Sequence, residues 1–275
     1  MKVVLFCGGM GMRMREYSES VPKPMVPIGY RPILWHLMKY YAYYGHRDFI
    51  LCLGWQGDVI KKYFLNYNEC QSNDFVLDQG RVDLLGSDIH DWRITFVDTG
   101  THSNIGQRLQ AVEKHLEGEE VFLANYADGL SDLHLPSLID YFHKRDSIAT
   151  CVGVKPRQSF HLVESDANGL TTSLTPVCDS DHWMNGGFFV LRSEIFDYMQ
   201  PGEELVLEPF QRLIAQRKLS TYRYTGFWGC MDTYKEKQQL DELFASGQAP
   251  WKVWKQHLDE PDRAVPAPTL ARAAK

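Results

Sequence analysis

The apolar run Val3-Val4-Leu5-Phe6-Cys7 breaks into Gly8-Gly9-Met10-Gly11-Met12-Arg13, and Lys23 follows in the proline-bounded string Pro22-Lys23-Pro24-Met25-Val26-Pro27. Glycines directly after a strand let the backbone approach a polyphosphate and aim its N–H groups at the oxygens. Arg13 and Lys23 can offset the charge of a pyrophosphate, and the prolines beside Lys23 restrict the backbone and lower the entropy cost of holding its ammonium there. The pattern is that of a nucleoside triphosphate site. A dinucleotide site would instead require G-x-G-x-x-G and an acid about 20 residues on. Here Met14 stands three positions after Gly11, and Gly29 and Tyr30 stand where that acid would be.

These residues need elements to carry them. Strand-like runs recur at 3–7, 48–53, 93–97, 121–124, 148–154, 187–191 and 220–225, separated by helix-compatible stretches at 32–45, 56–67, 104–116 and 135–145. Such alternation predicts an α/β fold, a Rossmann-like doubly wound and largely parallel sheet. Ligands of such sheets bind beyond the carboxyl ends of the strands. The glycine turn after residue 7 and Tyr126-Ala127-Asp128-Gly129 after residue 124 both lie at such ends, so they point to one cleft. Residues 156–183 break the alternation with polar residues and a turn at Asp166-Ala167-Asn168-Gly169, and predict a small β-rich excursion over the acceptor side of the cleft. Residues 259–275, rich in Pro, Ala and charge, are expected to form a disordered tail beyond one catalytic domain spanning 1–258.

Composition narrows the function. With 275 residues and 44% hydrophobic content the chain can bury a substantial single core. A net charge of −6 argues against a general nucleic-acid binder. No apolar run approaches the roughly 18–20 residues of a membrane span, and Met1-Lys2-Val3 leads straight into a core strand, so no membrane role and a cytoplasmic location are expected. The six cysteines lack C-x-x-C spacing, and the ten histidines form no H-x-x-x-H pair. Cys7 and Cys52 read as small hydrophobes in buried strands. Any metal should therefore be held by carboxylates.

Beyond the glycine turn, Lys23-Pro24-Met25-Val26, Pro32-Ile33-Leu34-Trp35-His36, Val97-Asp98-Thr99-Gly100, Asn185-Gly186-Gly187-Phe188-Phe189-Val190-Leu191, Gly226-Phe227-Trp228, Met231-Asp232-Thr233 and Ala249-Pro250-Trp251-Lys252 follow in order. Together they resemble the sugar-phosphate nucleotidyltransferases, and within them the glucose-1-phosphate cytidylyltransferase branch, over residues 1–255. The resemblance implies the nucleotidyltransferase fold, CTP and a phosphorylated small-molecule acceptor as partners, Mg²⁺ as cofactor, and a homo-oligomer. The aromatic run 40–44 suits a subunit interface and equally a buried helix face.

The resemblance also implies roles. Nucleotidyl transfer needs alignment and charge neutralisation more than covalent chemistry. It assigns Asp128 and Asp232 to the metal, Arg13 and Lys23 to catalysis, and Gly8, Gly9, Gly11, Arg13, Lys23 and Arg108 to the nucleotide. Tyr126, Asn185, Gly186 and Glu208 are assigned to the acceptor. Plainer readings stand beside these. Asp232 and Glu208 suit helix capping, Arg108 a surface ion pair, Asn185-Gly186-Gly187 a tight turn, and Trp228 the core.

Departures concentrate on the acceptor side. Met12 replaces a threonine usual in the family's glycine turn, and Leu174-Thr175-Pro176 replaces a Glu-Lys-Pro segment whose lysine grips the acceptor phosphate. Loss of that charge-assisted hydrogen bond, about 1.5–3 kcal/mol, would weaken glucose 1-phosphate roughly 10–150-fold unless Lys155, Arg157 or His161 substitutes. The loop from Pro176 to Asn185 is also one residue longer than in the family. Three readings follow: a cytidylyltransferase with another acceptor (a sugar, a cyclitol or a small organic phosphate or phosphonate), a true glucose-1-phosphate cytidylyltransferase, and a catalytically idle nucleotide-binding relative.

Overall fold

A computed structural model describes residues 1–9, 21–157 and 160–255. Gly11, Arg13 and the expected tail at 259–275 lie outside the described residues.

Seven strands form the main sheet: β1 (Val3–Phe6), β2 (Asp48–Leu53), β3 (Arg93–Asp98), β4 (Val121–Asn125), β5 (Ala149–Val154), β6 (Met184–Arg192) and β7 (Leu219–Tyr224). Their spatial order is β7-β5-β6-β4-β1-β2-β3. β1, β2 and β4 are nearly continuous apolar runs because both of their faces are covered. Every pairing in the sheet is parallel except the two made by β6. The chain reverses direction around β1: β2 and β3 lie on one side and β4 on the other, which leaves a crevice beyond the carboxyl ends of β1 and β4.

Helices α1 (Ile33–Tyr43), α2 (Gly57–Leu65), α3 (Ile105–Val112), α4 (Leu135–Arg145), α5 (Glu208–Ala215) and α6 (Tyr234–Ala245) cover both faces. Val3, Leu5, Leu51, Leu123 and Phe188 pack with side chains of α1, α4 and α6 on one face. Val4, Phe6, Ile50, Phe122 and Phe189 pack with Leu109 and Val112 of α3 and Phe210 and Leu213 of α5 on the other. This is the doubly wound mixed sheet that the sequence predicts.

The single reversed strand has a local cause. β5 ends at the carboxyl edge of the sheet, the chain makes its excursion there, and β6 re-enters from the same edge with Met184-Asn185-Gly186-Gly187 leading. Within the excursion, His161–Ser165 pairs antiparallel with Thr171–Pro176. Asp166 Oδ1 accepts from the N–H groups of Asn168 and Leu170, and Gly169 takes φ of +82°, closing the predicted turn. A second ribbon, Phe75–Asp78 with Arg81–Leu84, turns through Gln79 and Gly80, both at positive φ, and all eight of its strand residues are exposed.

Tyr40 and Tyr41 settle into the core, where the Tyr40 hydroxyl donates to the Leu133 carbonyl, so half of the aromatic run is the helix face of α1. Cys7 and Cys52 are buried free thiols. Among the described residues no helix is long and apolar enough to cross a membrane.

His36 ties the chain's far end to α1. Its Nε2 lies 3.0 Å from the Ile28 carbonyl and its Nδ1 faces Trp251 Nε1 at 3.4 Å. Trp35, Trp254 and Phe244 complete an aromatic box around it. The two contacts are both satisfied by the neutral ring, with Nε2 donating and Nδ1 accepting. Burial, which outweighs the Ile28 contact, pushes the His36 pKa from 6.5 down to about 4. The unfolded chain takes up this proton near pH 6.5 and the folded chain only near pH 4, so stability is complete above that window and falls as pH drops through it. The shift corresponds to about 3 kcal/mol. Urea unfolding midpoints should therefore decline from pH 6.5 to 4, and His36→Gln should flatten part of that slope. The remainder includes His46, which burial and the N-terminal ammonium push down to about 4 with the same sign.

Candidate functional site

The site begins where β1 ends. The Cys7 N–H donates to the Cys52 carbonyl, extending the ladder by one residue before the glycines. Arg108 lies buried behind Gly8 and donates to the carbonyls of Leu53, Gly8 and Thr101 and to Thr99 Oγ1. A Cβ at position 8 would stand 2.0 Å from Arg108 Nη1. At position 54 it would stand 2.7 Å from the Gly8 carbonyl and 2.9 Å from Arg108 Nη1. Gly8 is thus glycine because a guanidinium occupies the space of its side chain. Arg108 is no surface ion pair: it is buried and both of its Nη atoms donate to the chain, which makes it a support of the turn. Gly9 is exposed, and a Cβ there would meet nothing within 4 Å.

Lys23 opens a short 3₁₀ turn, Lys23–Met25, held between Pro22 and Val26 in extended conformation. Its ammonium donates to Asp128 Oδ2 at 2.7 Å and Asp232 Oδ1 at 2.5 Å. The structure thus brings together three residues separated by 105 and 209 positions. A two-stranded ribbon makes this possible. Gly129–Ser131 pairs antiparallel with Trp228–Cys230, and the Met231 N–H donates to the Asp128 carbonyl at 2.9 Å.

Each carboxylate is freed from a competing local role. Thr233, not Asp232, caps α6: its side chain accepts from the Glu236 N–H, and Glu236 Oε2 accepts from the N–H groups of Thr233 and Asp232. That capping box leaves the Asp232 carboxylate directed at Lys23. Asp128 follows Ala127, which is fully buried and holds φ of +63°, while its N–H donates to Asn125 Oδ1. A non-glycine residue in this region stores strain of the order of 1–3 kcal/mol, and such strain clusters at functional sites.

Burial alone would lower the Lys23 pKa, but Asp128 and Asp232 outweigh it and the net shift is upward. Burial also dominates at Asp128, whose pKa is raised, with the charge of Asp232 adding to the shift against the pull of Lys23. Two facing carboxylates in one partly buried place demand a cation. Among the described residues no group of three or more His, Cys, Asp or Glu could hold a metal by itself. A pair of carboxylates fits Mg²⁺, which takes one or two from the protein and keeps water and phosphate oxygens for the rest.

Of the residues expected to meet the acceptor, Tyr126, Asn185 and Gly186 come together where β4 ends and β6 begins. Asn185 Nδ2 donates to the Tyr126 hydroxyl at 3.1 Å, and Asn185 Oδ1 accepts from the Gly187 N–H. Gly187 has φ of +77°, and a Cβ there would stand 2.7 Å from the Tyr126 ring. Trp228 Nε1 donates to the Gly186 carbonyl at 2.8 Å, so Trp228 is half-buried at the site and not lost in the core. Glu208 is the first residue of α5, exposed, and its carboxylate accepts from the Glu204 N–H. That contact ties the segment before α5 to its first turn and is not a helix cap, since Leu207 holds the N-cap position without a side-chain bond. Sequence reasoning missed Glu204. Its Oε2 accepts from the Ile105 N–H, its Oε1 is buried without a partner among the described residues, and its charge reaches Tyr126. Only its place four residues before Glu208 could have marked it. A groove of about 950 Å³ lined by Arg157, Phe227, Trp228 and Lys235 opens against Asp232.

The family model for nucleotidyl transferases matches residues 2–233 of this chain. A Bacillus subtilis protein named "Probable glucose-1-phosphate cytidylyltransferase" is 40% identical over 259 residues, spanning 92% of this chain and all of that protein. Glucose-1-phosphate cytidylyltransferase of Salmonella typhimurium is 37% identical over 256 residues, again 92% of this chain and all of the relative. Among solved structures, UDP-glucose pyrophosphorylase complexed with UDP-glucose superposes with a TM-score of 0.67 at 17% identity, covering 90% of this chain and 98% of that one.

Lys23 and a divalent ion would compete for the same oxygens. In Mn²⁺ titrations followed by electron paramagnetic resonance, Lys23→Met should bind the free ion more tightly than wild type, and Asp128→Asn or Asp232→Asn should weaken binding at least tenfold. Arg108→Met should instead act on the fold. Stripping the Gly8 and Leu53 carbonyls and the Thr99 hydroxyl of a buried charged donor should cost about 2–4 kcal/mol, visible as a lowered thermal midpoint.

Proposed function

The chain belongs to the nucleotidyl transferase family and is a nucleotidyltransferase enzyme, and from that premise we propose that it is a Mg²⁺-dependent cytidylyltransferase. In this reading it joins CTP to a phosphorylated small-molecule acceptor and releases pyrophosphate. The observation that carries the reading is the Lys23 ammonium between Asp128 and Asp232, beyond the carboxyl ends of β1 and β4 and next to the glycine turn. The cytosine base is supported by the two relatives named for CTP chemistry, which this chain matches over their whole length.

In the reaction an acceptor phosphate oxygen attacks the α-phosphorus in line, the bond from that phosphorus to the bridging oxygen breaks, and pyrophosphate leaves with the electron pair. No proton transfer to the protein is needed. When bound between Asp128 and Asp232, Mg²⁺ would supply positive charge to the phosphate oxygens. Lys23, held protonated by its two carboxylates, would lend its charge to the same phosphates. The exposed backbone at Gly9 offers its N–H to the triphosphate. Arg13, assigned by the family match, would take the leaving pyrophosphate. Tyr126 and Asn185 orient the acceptor through their shared hydrogen bond, with the Gly186 strand entry and Glu208 at its rim.

The altered acceptor side favours an acceptor other than glucose 1-phosphate, since Thr175 stands in the exposed ribbon where the family keeps a lysine. The identities of 40% and 37% to proteins named as glucose-1-phosphate cytidylyltransferases favour the second reading, CDP-glucose synthesis. A homo-oligomer is supported by the apolar side chains Phe75, Val76, Leu77, Val82 and Leu84, which stand exposed on their ribbon.

Pyrophosphate release with Mg²⁺ and CTP, comparing glucose 1-phosphate with sugar, cyclitol and small organophosphate acceptors, tests both readings. Turnover on another acceptor with slow release from glucose 1-phosphate is expected. Rapid release from glucose 1-phosphate would establish the second reading, and CTP binding with no release from any acceptor would defeat both. Asp128→Asn should lower kcat at least a hundredfold on whichever acceptor is used, in line with the loss of a principal charge-stabilising group.

A further inference from the structure

Gly153 of β5 stands opposite Arg223 of β7 on one side and Asn185 of β6 on the other. Asn185 in turn bonds the hydroxyl of Tyr126, the residue that follows β4. One polar row therefore crosses four neighbouring strands at the carboxyl edge of the sheet. Strand alternation places Lys155, two residues past Gly153, on the same face. Gly153 leaves the middle of the row without a side chain, and Trp183 leans over the gap: a Cβ at 153 would lie 3.7 Å from the Trp183 Cβ.

Trp183 carries two cations. The Lys155 ammonium lies 4.8 Å from its ring centroid and the Arg223 guanidinium 5.3 Å. Lys155 also donates to the Ser180 carbonyl. Among the described residues neither cation has a carboxylate within ion-pairing distance, although Asp179 and Asp181 stand on the same loop. Arg157, by contrast, lies over Phe227 and donates to the Gly226 carbonyl, beside the groove at Asp232, and His161 is exposed at the start of the excursion ribbon.

Two positive charges on one indole, with no counter-charge from the described residues, form a local attraction for an anion. Two strand spacings of about 4.8 Å separate β4, which delivers Asp128, from β5, which delivers Lys155. One phosphate cannot meet both places. A small ring bearing anionic groups at opposite ends can. We infer that the acceptor carries a second anionic group, a carboxylate or phosphate, remote from the phosphate that attacks CTP, and that Lys155 and Arg223 receive it. The orientation of the acceptor rests on the reading given under Proposed function. Glucose 1-phosphate has no such second group.

The test compares glucose 1-phosphate, glucuronic acid 1-phosphate and glucose 1,6-bisphosphate by calorimetric binding to the full chain, with pyrophosphate release from CTP measured in parallel. The wild type should bind at least one of the doubly anionic probes tenfold or more tighter than glucose 1-phosphate. Lys155→Gln and Arg223→Gln should each reduce that preference at least threefold, the double variant should abolish it, and Lys155→Arg should retain it. Thermal midpoints identify any variant that fails to fold, and exposed Arg223 then carries the test. Absence of the preference in the wild type, or its survival in a folded double variant, would overturn the inference. An intact preference with no pyrophosphate release from any acceptor would count against the cytidylyltransferase reading alone.

Discussion

Two carboxylates cannot share a partly buried place without a cation between them, and the architecture around the cleft is arranged to bring Asp128 and Asp232 together. β4 delivers the first at the crevice of the sheet, and the short ribbon Gly129–Ser131 with Trp228–Cys230 delivers the second. Lys23, on a proline-braced turn, supplies the positive charge between them. The strained Ala127 and the Thr233–Glu236 capping box are local arrangements with the same result: they leave the carboxylates for each other's neighbourhood and not for helix or turn capping.

The acceptor side follows from one change of direction. Because β6 runs against its neighbours, its first residues lie at the same edge as the last residues of β4 and β5. A single reversal converts the Asn185-Gly186-Gly187 string from a strand entry into part of a pocket wall. The excursion before it, anchored at both ends on that edge, can vary in length and charge without disturbing either core. Thr175, which stands where the family resemblance implies a lysine, lies in this excursion.

Much of this was legible in the residues. The apolar runs marked β1, β2 and β4 most plainly, since parallel strands covered on both faces have no polar alternation to blur their limits. The ribbon within 156–183 was legible from its Asp-Ala-Asn-Gly turn. α5 and α6 were visible only as capping residues, because their amphipathic stretches follow one another with little punctuation. At the site, Lys23, Asp128 and Asp232 stood out through their motifs, but their meeting across 105 and 209 residues did not, because a two-stranded ribbon of three residues each leaves little periodicity. Arg108 shows the converse. Its position near a helix start said nothing of burial, which depends on two glycines in other segments. Lys155 was one of three candidates until the structure set it over Trp183, with Arg157 over Phe227 and His161 on the exposed ribbon.

Gly54 closes against the Gly8 carbonyl and the Arg108 guanidinium, the same guanidinium that fills the side-chain space of Gly8. It lies after a different strand and belongs to no recognisable string. The glycine turn is thus a motif of space, assembled from residues 8, 54 and 108, of which only the first would be protected in a comparison by sequence pattern. Drift at either of the other two positions would be felt in the turn as if the motif itself had changed.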